Sequence, residues 1–184
     1  MSSTIIYGFN KEGNAFLLGE TRNAWRGGMA IWRELEERHL PPYYFRGDRW
    51  KPCTRLAAFY DENAAKEIWN LADRKDIPLH ERIALYTTFD RCLVKTEDIP
   101  KVIDAFRKFA ICNDYTSLAE QADILEKLPE GTIAVGWNQN SVNGEDWSTK
   151  GGYDEENDEA IPYNCLTMNE HYWLFDELEV EHHD

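Results

Sequence analysis

Hydrophobic residues recur along the chain at two spacings, and the spacing predicts which segments are helices and which are strands. Apolar residues three or four positions apart indicate amphipathic helices, whereas short runs rich in β-branched and aromatic residues indicate strands. The helical spacing occurs over residues 22–39, 62–75, 98–110 and 118–128. The strand-like runs occur over residues 4–9, 15–18, 83–95, 132–137, 163–166 and 172–175.

The order of these elements predicts an α+β fold with a mixed, largely antiparallel sheet, a hairpin at each terminus and about four helices packed on the sheet. We expect one domain over residues 1–178, which includes an irregular acidic loop at about 138–160, and a solvated tail over 179–184. The apolar stripes of the helices place these side chains in the core: Trp25, Trp32, Trp69, Phe106 and Leu125.

Composition supports a folded chain in a reducing compartment. The 184 residues are 42% hydrophobic and 13% aromatic, which suits one ordinary domain. No apolar run reaches the roughly 20 residues that span a bilayer, and residues 1–7 do not resemble a secretory signal. The cysteines are scattered, without the paired spacing of a zinc site, and are expected to be reduced and mostly buried: Cys53, Cys92, Cys112 and Cys165. We therefore expect a cytoplasmic protein that does not bind membranes.

The charge is strongly asymmetric. The net charge is −14. Residues 1–92 carry 14 basic and 13 acidic side chains, a net of +1, and residues 93–184 carry 6 and 21, a net of −15. An acidic half repels nucleic acid and attracts basic protein surfaces, so we expect no direct nucleic-acid binding.

Motifs that carry chemistry are absent from the sequence. It contains no glycine-rich nucleotide-binding loop, no Walker A loop and no EF-hand pattern. The histidines stand outside any recognisable catalytic or metal-binding pattern: His39, His80, His171, His182 and His183. The sequence therefore predicts no catalytic residue, no metal and no cofactor, and favours a protein that is not an enzyme.

The leading functional prediction is a non-enzymatic acidic protein that occupies a basic surface on a partner protein. Its concrete form is an inhibitor that mimics the charge of nucleic acid, or an immunity-type protein of a mobile element, and its partner is a nucleic-acid-binding protein. The predicted partner-binding residues are Glu145, Asp146, Trp147, Tyr153, Asp154, Glu155, Glu156, Asp158 and Glu159. Aromatic residues are expected to anchor the contact and acids to steer it.

Two alternatives stay open. The amide-rich segment 137–147 is bracketed by tryptophans, which suits an enzyme or small-ligand binder, although the simpler interpretation is a turn-rich loop pinned by its tryptophans. The ligand-binding residues would then be Trp137, Asn138, Gln139, Asn140 and Asn143. In the second alternative the charge serves solubility alone. The basic, aromatic segment 43–55 could pair with the acidic half or with a second copy, which leaves a homo-oligomer open.

Overall fold

A computed structural model of the chain describes residues 3–22, 28–41, 62–112, 117–140 and 146–179. Several sequence predictions lie outside the described residues. They concern Trp25, Cys53, Asn143, Glu145, the segment 43–55, the side chains of Cys112 and Asn140, and the tail beyond residue 179.

The described residues form seven strands and six α-helices, which are grouped rather than strictly alternating along the chain. The strands are β1 (Ser3–Phe9), β2 (Ala15–Arg22), β3 (Cys92–Lys95), β4 (Ala134–Asn140), β5 (Gly152–Asp154), β6 (Glu159–Ile161) and β7 (Tyr172–Trp173). The helices are α1 (Gly28–His39), α2 (Glu62–Asn70), α3 (Leu79–Tyr86), α4 (Ile99–Cys112), α5 (Leu118–Leu125) and α6 (Leu174–Glu179).

The main sheet has the order β2-β1-β4-β3-β7, and a separate two-stranded sheet is formed by β5 and β6. All neighbours in the main sheet are antiparallel except β3 and β7. The predicted α+β fold with a largely antiparallel sheet is therefore confirmed. The predicted N-terminal hairpin is also confirmed: the Asn10 side chain accepts hydrogen bonds from the turn amides, and Gly13 adopts a φ of 81°.

Alternation along the strands gives the main sheet two buried faces. Ile6, Val94 and Val135 point to one face and join the core formed with the helices. Phe9 and Leu93 point to the other face, where they pack with Trp147, Tyr163 and Cys165 from the C-terminal third of the chain. The second face is thus covered by Trp147, from the segment predicted to be irregular, and by Tyr163 and Cys165, from the run predicted to be a strand.

The predicted strand over residues 83–95 is wrong in its first half. Residues 83–86 belong to α3, and strand β3 begins only at Cys92. A short apolar run buried on all sides has no helical or strand periodicity, so the sequence could not distinguish the two. Ile83, Ala84 and Leu85 are all buried in α3, which explains the error.

The predicted C-terminal hairpin over 163–166 and 172–175 is also wrong. Asn164 forms an isolated bridge with Asn14, Tyr172–Trp173 pairs in parallel with β3, and the chain then enters α6. The hairpin in this part of the chain is β5–β6, which lies inside the segment 138–160 that was predicted to be irregular.

The residues that were predicted to lie in the core have different outcomes in the structure. Phe106 and Leu125 are buried as predicted, and Trp32 is partly buried against the helical core. Trp69 is 45% exposed, so its prediction is wrong. The buried face of α2 is set by Ile68, and the adjacent residue points about 100° away on a helix.

Candidate functional site

The amide-rich residues of β4 are built into the fold. Trp137 is 1% exposed, and its indole Nε1 donates to Gln121 Oε1 at 3.0 Å. The Asn138 side chain is buried, while Gln139 accepts a hydrogen bond from Thr4 Oγ1 at 2.7 Å. The side chains of Trp137 and Gln139 thus join β4 to α5 and to β1.

Trp147 fastens the chain that follows β4 to the second face of the sheet. It is 6% exposed, and its Nε1 donates to the carbonyl oxygen of Trp137 at 2.8 Å. Its ring stacks on Phe9 with centroids 6.1 Å apart and meets Tyr163 edge-on at 4.9 Å. A Cβ at Gly136 would lie 3.0 Å from the Trp147 ring, so the absence of a side chain at Gly136 lets the indole pack closely against the strand. Trp147 is therefore a core residue.

Asp146 uses its carboxylate within the chain. Its Oδ1 accepts hydrogen bonds from Ser148 N at 3.0 Å and Ser148 Oγ at 2.6 Å, and its Oδ2 accepts one from the Tyr7 hydroxyl. Burial, followed by the hydrogen bond to Asp146, raises the pKa of Tyr7 to about 12. Asp146 and Trp147 hold the short segment 146–150 against the sheet, and we call this segment the pinned turn.

The hairpin β5–β6 has a different environment. Its register pairs Tyr153 with Ala160 and Asp154 with Glu159. Tyr153 is 58% exposed and Ile161 is 44% exposed. Because side chains alternate along a strand, these two apolar groups lie on opposite faces of the hairpin. The hairpin therefore displays one exposed apolar group on each of its two faces, close to its acidic turn.

The side chains of two hairpin acids, Asp154 and Asp158, accept hydrogen bonds that stabilise the turn between β5 and β6. Asp154 accepts hydrogen bonds from Glu156 N at 3.0 Å and from Asn157 Nδ2 at 2.7 Å, and the bonds from Asn157 hold the pKa of this carboxyl below its usual range. Asp158 has a left-handed φ of 56° and accepts a hydrogen bond from the Tyr153 hydroxyl. These two carboxylates shape the turn that displays the remaining acids.

The remaining acids of the hairpin are exposed, and none of their side-chain carboxylates has a hydrogen-bond or ion-pair partner within the part of the chain that the structure describes. They are Glu155, Glu156 and Glu159. We call these residues, with Tyr153 and Ile161, the acidic hairpin surface. Ile161 escaped the sequence analysis, because an isolated isoleucine before a proline gives no signal of exposure.

The second sheet face also holds two polar atoms that lack partners. Asn138 Nδ2 and the Tyr163 hydroxyl are buried without a hydrogen bond to any described residue. Burial raises the pKa of Tyr163. Ordered water commonly satisfies such groups. Of the two residues, only Asn138 belongs to the set predicted for the small-ligand alternative.

Two of the histidines take part in packing contacts. His39 Nε2 lies 2.5 Å from Glu81 Oε2, and Arg38 Nη1 donates to the other oxygen of that buried carboxylate at 2.7 Å. This cluster ties α1 to α3. His171 Nδ1 donates to the Met168 carbonyl oxygen at 2.5 Å. Over the described ranges, no group of three His, Cys, Asp or Glu side chains is arranged to hold a metal ion, and no helix has the length and apolar character of a membrane span.

Comparison of the chain with protein-family models, with curated proteins and with solved structures finds no significant match. The geometry of the acidic hairpin surface and the charge of the chain are therefore the features that bear on function.

Proposed function

We propose that this protein is a non-enzymatic binding protein that presents the acidic hairpin surface to a basic surface on a partner protein. The observation that carries the proposal is the contrast in how its acids are used. Asp154 and Asp158 hold the turn, while Glu155, Glu156 and Glu159 are displayed from it. Carboxylates that are displayed in this way remain available to lysine or arginine side chains of a partner.

The charge of the whole chain supports the same proposal. A net charge of −14, concentrated in the C-terminal half, produces a field that steers a basic partner towards the protein. Basic surfaces are typical of proteins that bind nucleic acid. In its concrete form the protein is therefore an inhibitor that competes with nucleic acid for its partner, as an immunity-type protein of a mobile element would.

Tyr153 supplies the apolar part of the contact on one face of the hairpin, and Ile161 offers a second apolar group on the opposite face, beside Glu159. Interface hot spots are rich in aromatic residues, whereas peripheral charges mainly set the association rate. Trp147 was predicted to share the anchoring role with Tyr153. Because its ring is buried, we assign it instead to holding the turn that leads into the hairpin.

We propose that the protein binds its basic partner in the cytoplasm. The support is chemical, since Cys92 and Cys165 are free and buried. Burial raises the pKa of both thiols, which keeps them protonated and unreactive.

The test uses two variants that change the net charge equally. The hairpin variant is E155K/E156K/E159K, and the control is E20K/E67K/E130K, which reverses exposed acids on other elements. A partner captured from the native extract by the wild-type protein is purified, and its association rate with each protein is measured over a series of salt concentrations. We expect the hairpin variant to slow association at low salt by about tenfold or more, and the control to slow it far less.

A competition measurement tests the mimic form separately. The partner's nucleic acid should displace the wild-type protein, because both would occupy one basic surface. Simultaneous binding of the two would contradict mimicry. Equal effects of the two variants, or an association rate that is indifferent to salt, would contradict the acidic hairpin surface as the contact.

A further inference from the structure

A second surface feature surrounds the exposed indole of Trp69. Two adjoining concavities, of about 380 and 370 Å³, share Trp69 and Phe89 in their walls. The first is also lined by Trp32 and Asp90, and the second by Tyr172. We call these concavities together the Trp69 groove. It is built from α1, α2 and the turn that follows α2, the end of α3 and its following turn, β7 and α6, and none of these contributes to the acidic hairpin surface.

The rings of the groove are held in fixed orientations. Trp32 and Trp69 meet edge to face at 6.2 Å with an interplanar angle of 78°. Trp32 Nε1 donates to Thr88 Oγ1 at 2.7 Å, which fixes that indole against the turn. Phe89 in turn packs edge-on against Tyr86 at 5.5 Å. The groove therefore presents ordered aromatic surface around a half-exposed indole, and such surface is costly to leave in water.

The described charged side chains that line the groove are all acidic. Its acidic lining residues are Asp90 in one concavity and Asp73 and Glu177 in the other, and none of its described lining residues is Lys or Arg. Asp73 already accepts a hydrogen bond from Tyr86 Oη at 2.9 Å. The carboxylate at the rim of the first concavity, Asp90, has no hydrogen-bond or ion-pair partner within the described ranges of the chain.

Asp90 is an exposed residue that lines the first concavity beside Trp69 and Phe89. Desolvation raises the pKa of its carboxyl, and the charge of Arg91 opposes the effect. Arg91 is itself ion-paired with Glu170. A partly desolvated carboxylate beside aromatic rings is stabilised by a cation that can contact both.

A guanidinium group matches this combination better than other cations. It is planar, stacks on an indole face, and pairs with a carboxylate through two parallel hydrogen bonds, whereas an ammonium group is a compact and strongly hydrated charge. We propose that the Trp69 groove binds an arginine side chain of a basic partner protein, which stacks on Trp69 and pairs with Asp90. The proposal goes beyond the hairpin function, because either surface can bind in the absence of the other.

The experiment uses a defined probe. The peptide acetyl-Gly-Arg-Gly-Arg-Gly-amide, with its lysine counterpart as a control, is titrated into the labelled protein at physiological salt. The indole N–H signal of Trp69, identified in the spectrum by its loss in Trp69→Phe, reports binding at the groove. We expect a saturable shift with the arginine peptide and a clearly weaker affinity for the lysine peptide.

Matched variants assign the effect to the groove. Trp69→Leu and Asp90→Asn should each weaken the arginine peptide by about three- to tenfold, followed through the Trp32 indole signal where Trp69 is absent. Glu67→Gln removes one acid from α2 outside the groove and should leave the affinity within about twofold. Melting temperatures of all variants establish that they are folded.

Several results would overturn the inference: no saturable shift at Trp69, equal binding of the lysine peptide, or equal effects of Asp90→Asn and Glu67→Gln. The hairpin variant E155K/E156K/E159K separates this inference from the proposed function. It should retain peptide binding at the groove even if it loses the partner. Conversely, a groove that fails to bind arginine leaves the hairpin test unaffected.

Discussion

The pinned turn and the acidic hairpin follow one another along the chain and both contain acidic residues, but their side chains differ in burial and in contacts. In the turn, the carboxylate of Asp146 is bonded to Tyr7 and Ser148, and Trp147 is buried between Phe9 and Tyr163. In the hairpin, both strands are largely exposed. The difference teaches that acidic composition does not reveal whether a carboxylate is available to a partner; its contacts within the chain decide this.

The two regions are joined at a glycine. Gly151 N donates to the Ile161 carbonyl oxygen at 2.7 Å, and a Cβ at Gly151 would lie 2.5 Å from the Cα of Tyr163. An isolated two-stranded hairpin is marginally stable in water. The hairpin is therefore held at its base by Gly151 and Tyr163, and the pinned turn sets the direction in which it leaves the core.

The largest expected effect is on the turn. Trp147→Ala should lower the free energy of unfolding by about 3–5 kcal/mol, because it leaves a cavity against Phe9 and Tyr163. Urea denaturation measures this. The control is Tyr153→Ala on the hairpin, which should cost less than about 0.5 kcal/mol since that side chain is exposed. Equal costs for the two variants would contradict the division into a pinned and a displayed region.

A smaller effect is expected at Asp146. Asp146→Ala should cost about 1–3 kcal/mol, because it leaves the Tyr7 and Ser148 donors without their acceptor. Urea denaturation at neutral pH measures this cost. A cost near zero would place the Asp146 carboxylate among the displayed acids.

The same contact gives a dependence on pH. The pKa of Tyr7 is raised from 10.0 to about 12, so the folded state holds this proton more tightly than the unfolded state. The contribution is fully present below pH 10 and is lost as the pH rises through about 12. Because burial also raises the pKa of other tyrosines, the measurement is the difference between wild type and Tyr7→Phe. A difference that stays constant over this range would contradict the assignment.

The local parts of this structure were predictable from the sequence. The Asn10–Gly13 turn and the stripe of Phe106 on α4 need only neighbouring residues for their recognition. The sequence left open whether Trp147 anchors a partner or pins its own loop, because Phe9 and Tyr163, which bury it, are not its neighbours in the sequence. The prediction for Trp69 was wrong for a local reason: its apolar character suggested the core, while its position one residue from Ile68 on the helix turned it outwards.

The same reasoning applies to the candidate site. The run of acids at 154–159 was visible in the sequence, but the separation of Asp154 and Asp158 from the three glutamates was not. That separation arises from hydrogen bonds within the turn, in which Asp154 caps the amides of Glu156 and Asn157. A sequence shows which residues are acidic, and only the turn geometry shows which of them have a structural role.

We expect the smallest effect on stability at the hairpin, and measuring it distinguishes the hairpin from the pinned turn most clearly. The three displayed glutamates have no partner within the described residues, so E155K/E156K/E159K should change the free energy of unfolding by less than about 0.5 kcal/mol. Asp154→Ala is the contrasting variant, since it removes the acceptor of the turn amides. It should speed hydrogen exchange at Glu156 and Asn157 while the core amides remain protected, because the hairpin opens locally without unfolding the sheet. A loss of more than about 1 kcal/mol in the triple variant would mean that these carboxylates are bound within the chain, and the acidic hairpin would then belong with the pinned turn.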